Sequence, residues 1–192
     1  MAIIQYYPQL NSAIGTMLQG LAFWMGYSKC MNELYEHDCV HQAFAILRAN
    51  LGKDKYAIEY EYPYVLLDKR IKTQERADLV ILKKTPRRKT PLCVMEFKMS
   101  DNTNGGVAAD VKKLRHISND ISKLVVLLFY NDDKKLCKIF TTGQGNAIVA
   151  RKAPVVLKGI DKPVRVRRVA KAMATAANPK RSPYMAVCID AS

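Results

Sequence analysis

The sequence predicts an α/β protein with a central mixed β-sheet flanked by helices. Hydrophobic periodicity gives the order helix, three strands, helix, strand through the middle of the chain, which is typical of a sheet covered by helices. Residues 123–130 (KLVVLLFY) form an uninterrupted apolar run, as in strands that are buried on both faces. With 192 residues, 49% of them hydrophobic, the chain is long enough for one domain with its own core.

Three segments have the apolar spacing of helices. Apolar residues recur at helical spacing from Leu10 to Met25, and the polar residues between them favour packing on the core, or on a second copy of the chain, over a membrane span. Residues 32–47 carry a second apolar stripe, which ends before Gly52. Residues 107–117 follow a polar run that contains two glycines, and they predict a third helix.

The strands are predicted from aromatic and branched residues. Residues 55–67, 75–82 and 92–99 have the composition of strands, and a loop with two prolines separates the last two. Residues 123–130 supply the buried strand, and residues 135–140 are consistent with one more. The expected core is therefore α-β-β-β-α-β.

Charge and composition divide the chain into three parts within one compact domain. Residues 1–29 form a helical segment with no charge before Lys29, residues 30–140 hold the α/β core, and residues 141–192 form a basic extension. The formal net charge is +14, and residues 151–192, with ten basic and two acidic side chains, contribute +8 of it. A chain this basic favours polyanionic partners, of which nucleic acid is the commonest.

The basic residues cluster in the loop between the second and third strands, on the third helix and in the tail. In the tail, arginines alternate with valines over part of the run, so one strand face could follow a phosphate backbone. A solvated helix face or a solubilising segment explains the same residues equally well. The candidate nucleic-acid-binding residues are Lys83, Lys84, Arg87, Arg88, Lys112, Lys113, Arg115, Arg165, Arg167 and Arg168.

The cysteines indicate a reducing compartment. There are five, an odd number, and no two of them form a CxxC pair. Disulfide frameworks and zinc ribbons need even numbers and closer spacing. We therefore expect structural thiols and an intracellular location, in the cytoplasm or the nucleus or nucleoid.

Three charged residues in two apolar strands carry the candidate chemistry. If the second and third strands pair as a hairpin centred on Arg87, Asp78 lies opposite Glu96. Side chains alternate along a strand, so Glu96 and Lys98 point to the same face. Charges in apolar strands are costly unless they are paired or bind a metal. Two carboxylates beside a lysine suit a hard divalent cation, Mg²⁺ or Mn²⁺, which can polarise a phosphate and activate water.

The segments RADLVIL and CVMEFKM resemble the core of the PD-(D/E)xK nuclease superfamily, which has the restriction-endonuclease-like fold. The resemblance covers roughly residues 30–140. It implies that Asp78, Glu96 and Lys98 are catalytic, that Asp78 and Glu96 bind one or two Mg²⁺ (or Mn²⁺) ions, and that the activity is phosphodiester hydrolysis, by an endonuclease in preference.

In many members of this superfamily an early helix supplies a further acid. The resemblance assigns that role to Glu36 in preference to Glu33. Ala77 stands where the proline that names the superfamily would be, although many members lack this proline.

Each candidate also has a plain structural explanation. Asp78 could pair with Arg76 or Lys98 at a sheet rim, and Glu96 and Lys98 could belong to an exposed alternating face. Acids that begin a helix, such as Glu36, favour the helix dipole without further function.

Two further alternatives concern the histidines and the whole chain. His37 and His41 are four residues apart and could bind zinc together with an acid, although the HExxH form is absent. The alternative to a nuclease is an inactive nucleic-acid-binding or self-assembling protein on the same fold. Self-association is expected, if at all, through the N-terminal helix.

Overall fold

The computed structural model describes residues 7–27, 35–71, 74–99, 104–129, 156–157, 159–172 and 184–192. In chain order, the helices are α1 (Pro8–Tyr27), α2 (Glu36–Asn50), α3 (Tyr64–Leu67) and α4 (Asn104–Arg115). The strands are β1 (Tyr56–Pro63), β2 (Arg76–Lys84), β3 (Lys89–Met99), β4 (Ser122–Phe129), β5 (Arg165–Ala172) and β6 (Tyr184–Asp190).

The strands form one six-stranded sheet in the order β1-β2-β3-β4-β6-β5. Strands β3 and β4 are parallel and are joined through α4, whereas the other neighbours are antiparallel. The sheet is therefore mixed and is flanked by helices, as the sequence predicts.

Helices cover both faces of the sheet. Helices α1 and α2 pack on one face, against β3 side chains that include Met95 and Phe97. Helices α3 and α4 pack on the other face, against a second apolar cluster that includes Val94. Because side chains alternate along β3, Glu96 and Lys98 follow Val94 on the face that α4 covers.

The apolar stripe of α1 is buried in the chain's own core. Leu10, Met17, Leu21 and Met25 are fully buried in the cluster between α1, α2 and the sheet. The apolar stripe that suggested self-association is thus buried within one copy of the chain. No helix in the described ranges is long and apolar enough to cross a bilayer.

Several boundaries differ from the sequence prediction. The strand expected over 55–67 ends at Pro63 and continues as the short helix α3. The predicted strand at 135–140 lies outside the described residues. The segment 141–192, expected to be a basic extension, supplies β5 and β6, and β6 lies inside the sheet between β4 and β5.

Candidate active site

The β2–β3 hairpin brings Asp78 and Glu96 together. Leu79 pairs with Met95, and the same register places the preceding Asp78 opposite Glu96. The two carboxyl groups lie close enough to shift each other's pKa, by charge and by hydrogen-bonding interaction. This is the arrangement that pairing around Arg87 predicts.

A main-chain hydrogen bond orients Asp78. The N–H of Phe97 donates to Oδ2 of Asp78 over 2.7 Å. Burial raises the pKa of Asp78, while this hydrogen bond, the bond to Glu96 and the Lys98 ammonium oppose the rise. The backbone of β3 therefore sets the direction of this carboxyl group.

Glu96 is the most deeply buried acid of the site, with 3% of its surface exposed. The hydroxyl of Tyr64, in α3, donates a hydrogen bond to its Oε1, and Nζ of Lys113 lies 3.4 Å from the same oxygen. Burial and the neighbouring charge of Asp78 raise the pKa of Glu96 to about 8, against the opposing effects of Tyr64 and Lys113. At neutral pH this carboxyl group is therefore mostly protonated in the metal-free protein.

Lys98 contacts acids from two helices. Its Nζ donates to Oε1 of Glu36 over 2.8 Å and lies 3.6 Å from Oδ2 of Asp110. Burial opposes the charged form, but the hydrogen bond to Glu36 and the charge of Asp110 outweigh it, so the pKa of Lys98 is raised. Glu36 is thus the early-helix acid that reaches the site, while Glu33 lies outside the described residues.

Helix α4 adds two residues to the cluster. Nζ of Lys113 lies 3.5 Å from Oδ1 of Asp110 and 5.1 Å from the centre of the Tyr64 ring. Asp110 is 6% exposed, burial raises its pKa, and its Oδ2 is buried without a hydrogen-bond donor in the described structure. A side chain at Gly106 would lie against Lys98, with its Cβ 3.7 Å from the Lys98 Cδ.

Sequence reasoning missed Asp110 and Tyr64 as site residues and assigned Lys113 to nucleic-acid binding. A signal for the α4 pair was present. Gly106, Asp110 and Lys113 are spaced by four and three residues, so they share one face of the helix that follows β3. Tyr64 had no comparable signal, because its position depends on the end of β1.

The assembled site is rich in negative charge. It joins four carboxyl groups and two ammonium groups, namely Glu36, Asp78, Glu96 and Asp110 with Lys98 and Lys113. Four negative and two positive charges would leave −2 if all six groups were ionised. Glu75, an exposed acid whose Oε2 lies 3.7 Å from Nζ of Lys113, adds a further negative charge at the edge of the cluster. A proton on Glu96 relieves part of this imbalance, and a divalent cation would neutralise two of the negative charges.

The arrangement of the carboxyl groups decides which of them could bind a metal ion. In the described part of the chain, no three side chains of Asp, Glu, His or Cys form a group that could hold a metal ion. Mg²⁺ keeps several of its waters and is usually held by one or two carboxylates and a substrate phosphate, so Asp78 and Glu96 would suffice as ligands. Oδ2 of Asp110 already lies 3.6 Å from the Lys98 ammonium, so the negative balance of the cluster is the feature that favours a further cation.

The basic residues predicted on the hairpin are not close to this cluster. All are exposed at the turn, at the end of β2 away from Asp78: Lys83, Lys84, Arg87 and Arg88. Lys83 lies over the ring of Tyr7, 5.5 Å from its centre. Lys84 donates to the carbonyl of Lys53 over 2.8 Å. The turn is therefore a separate basic surface.

The three basic residues predicted on α4 have different positions. Lys112 is exposed, and Lys113 belongs to the buried cluster. Arg115 ties the end of α4 to the chain that surrounds it, by donating to the carbonyls of Ala191, Lys162 and Pro163. Only Lys112 of these three is placed as a phosphate contact would require.

The arginines of β5 lie on the edge strand at the opposite side of the sheet from β1. Arg165 and Arg168 are exposed, whereas Arg167 forms an ion pair of 3.0 Å with Asp190. Arg168 lies against α1, where a Cβ at Gly15 would overlap its guanidinium group.

The structure bears on the non-functional explanations for the candidate residues. An exposed face for Glu96 and Lys98 is wrong, because Glu96 is buried and Lys98 is largely covered. Arg76 donates to the carbonyl of Glu61 over 2.8 Å. His37 and His41 are exposed, with ring centres 6.3 Å apart.

Comparison of the chain with protein-family models, with curated protein sequences and with solved structures finds no match.

Proposed function

We propose that this chain is a metal-dependent nuclease, an endonuclease in preference, on a restriction-endonuclease-like core. The observation that carries the proposal is the buried cluster of acids around Lys98, to which β2, β3, α2 and α4 each contribute. Burying several carboxyl groups together costs stability, and clusters with strongly shifted pKa values are more common at functional sites. The net charge of +14 favours a polyanionic substrate, such as nucleic acid.

Asp78 and Glu96 would bind Mg²⁺ or Mn²⁺. The bound ion would polarise the scissile phosphate and lower the pKa of a water molecule. Because burial and the charge of Asp78 hold the pKa of Glu96 near 8, metal binding would have to release the proton of Glu96.

Lys98 would stabilise the charge that develops on the phosphate. Its raised pKa keeps the ammonium protonated at neutral pH, so it can donate to a phosphate oxygen or orient the attacking water. The same shift makes it a poor base, which favours charge stabilisation over removal of a proton from water.

The remaining residues of the cluster would position these three. Tyr64 and Lys113 hold the Glu96 carboxyl group, and Glu36 holds the Lys98 ammonium. Residues that orient a reacting group contribute by fixing its geometry before the substrate arrives.

A cleavage assay tests the proposal. Labelled single- and double-stranded DNA and RNA are incubated with Mg²⁺, with Mn²⁺ and with EDTA, for the wild type and for Asp78→Asn, Glu96→Gln and Lys98→Met. We expect metal-dependent cutting that each substitution lowers by about 10²-fold or more.

Glu59→Gln is the matched control, because Glu59 is a half-exposed acid that pairs with Lys89 on the same sheet, outside the cluster. It should cut like the wild type. Cutting that persists in Asp78→Asn and Glu96→Gln, with both variants folded, would refute the assignment.

The second candidate is an inactive nucleic-acid-binding or assembly protein on the same fold. The observation in its favour is that Glu96 is already held by Tyr64 and Lys113 in a closed, protonated cluster. Salt-dependent binding without cutting under any of the metal conditions would select it.

A further inference from the structure

A row of aromatic rings runs along α2 and the adjoining edge strand β1. We define this aromatic strip as Tyr35, His37, His41, Phe44 and Tyr60. The rings of Tyr35 and His37 are nearly parallel, with their centres 5.6 Å apart. The ring centres of His41 and Tyr60 are also 5.6 Å apart. Tyr60 meets Phe44 at 4.9 Å, edge to face. The contacts form one continuous series of rings.

The strip lies on the surface. Tyr35 is 63% exposed and Tyr60 is 48% exposed, and both histidines of the strip are exposed as well. Phe44 is partly buried and packs against the core, so it anchors the strip. Single exposed aromatic residues are common on proteins, but contiguous exposed patches of them mark binding surfaces.

The position of the strip connects it to the candidate active site. In the sequence, Tyr35 and His37 stand on either side of Glu36, whose carboxylate contacts Lys98. Its far end is marked by Arg48, whose guanidinium lies 5.9 Å from the centre of the Phe44 ring. Arg48 is twelve helical positions after Glu36, which corresponds to about 18 Å.

After α2, the start of β1 lies beside the basic turn of the β2–β3 hairpin. The chain passes from α2 into β1, where Tyr56 pairs with Lys83, and the N–H of Lys84 donates to the carbonyl of Lys55. The strip therefore extends from the acid cluster at one end of the sheet towards exposed lysines and arginines at the other.

We propose that the aromatic strip binds the bases of single-stranded nucleic acid, DNA or RNA, and guides the strand into the active site; this rests on the proposed nuclease function. Aromatic side chains stack on the faces of unpaired bases, and basic groups at one end hold the phosphates. In a duplex those base faces are already stacked on one another. The rings from Tyr35 to Phe44 span nine helical positions, about 13.5 Å, which leaves room for roughly four stacked bases at ~3.4 Å each. The strip would thus select single strands.

Binding measured without cleavage tests this inference. Fluorescence anisotropy in EDTA gives Kd values for labelled single-stranded DNA, single-stranded RNA and duplex DNA of equal length. We expect the wild type to bind single strands more tightly than the duplex, and the DNA and RNA arms identify which strand it prefers. Tyr35→Ala and Tyr60→Ala should each raise the single-strand Kd by about five- to 150-fold, whereas Tyr60→Phe should keep it.

Phe23→Ala is the matched control, since Phe23 is 60% exposed on α1, outside the strip. It should bind like the wild type. Kd values of Tyr35→Ala and Tyr60→Ala equal to the wild-type value, or a wild type that binds the duplex more tightly, would overturn the inference.

The two proposals fail separately. If the strip substitutions weaken single-strand binding but the chain cuts no substrate, the proposed nuclease function is refuted and the strip remains a single-strand binding site. Metal-dependent cutting, together with single-strand Kd values that the strip substitutions do not change, would refute only the proposed role of the strip.

Discussion

At the scale of single residues, Glu96 makes the strongest prediction. Its pKa is about 8 in the folded chain, against an ordinary value of 4.5. Between these values the folded state holds a proton that the unfolded state has lost, so the free energy of unfolding falls as pH rises. The pKa values of Asp78 and Asp110 are also raised, which adds to the slope in the same direction.

We expect the metal-free protein to be less stable at pH 8 than at pH 5, with Glu96 contributing up to about 1.4 kcal/mol per pH unit. Urea denaturation in EDTA at both pH values measures this for the wild type and Glu96→Gln. The pKa values of Lys98 and Lys113 are raised from 10.5, so these groups stay charged in this range and add no slope. A Glu96→Gln variant that keeps the full wild-type slope would contradict the assignment.

Tyr64 makes a second prediction at this scale. Its hydroxyl donates to the buried Glu96, so Tyr64→Phe leaves that carboxyl group without one of its partners. We expect a loss of about 1–3 kcal/mol in the free energy of unfolding. Tyr62→Phe, a partly buried tyrosine of β1, is the control and should stay within about 0.5 kcal/mol of the wild type.

Hairpin geometry explains which residues of the site the sequence could predict. Asp78 and Glu96 depend only on a local pairing, and the bulge between Ile81 and Leu82 shifts the register nearer the turn without moving them. Glu36 reaches Lys98 across 62 residues of chain, so only the family resemblance pointed to it. The role of Asp110 depends on how α4 returns over the sheet, which no local pattern specifies.

At the scale of elements, α4 contains two basic residues with opposite expected roles. Lys112→Ala should leave the free energy of unfolding within about 0.5 kcal/mol of the wild type. It should also lower the slope of log K against log salt concentration by about 1, as expected for the loss of one phosphate contact. Arg115→Ala should instead lower stability by about 1–3 kcal/mol, because three carbonyls lose their donor. Denaturation and binding titrations at several salt concentrations separate the two effects. Arg115→Ala with wild-type stability would contradict the structural role.

The elements themselves were largely predictable, because periodicity is a local property. The helices expected over 32–47 and 107–117 appear as α2 and α4 with shifted ends. The strand predicted over 55–67 was too long, since aromatic and branched residues continue past Pro63 while the chain turns into α3. Composition alone does not register that change.

At the scale of the whole molecule, β6 joins the tail to the core. All seven of its residues are buried, and Val187 pairs with Leu127 on one side and Val169 on the other. We expect Val187→Asp to prevent folding, because it places an unpaired charge at a fully buried position of the sheet. Lys171→Asp, exposed on the neighbouring strand, is the control and should fold. Circular dichroism and thermal denaturation compare the two, and a folded Val187→Asp would show that β6 is dispensable.

Charge counting placed this tail outside the core. The basic residues of 151–192 drew attention to its surface, while the segment YMAVCID reads as a short apolar run whose partners are far away in the chain. The pairing of β6 with β4 joins residues about sixty apart, for example Phe129 and Met185. Pairings over such distances are set by the tertiary fold and leave little trace in local sequence.

The position of β5 also bears on aggregation. In the described sheet β5 pairs only with β6, so its other side presents backbone donors and acceptors to which another strand could add, apart from the Lys171 carbonyl, which accepts from Gln19 over 3.2 Å. The exposed Arg165, Arg168 and Lys171 would bring like charges together if two copies met there. At this edge of the described sheet, the cations would oppose pairing between the β5 strands of two copies.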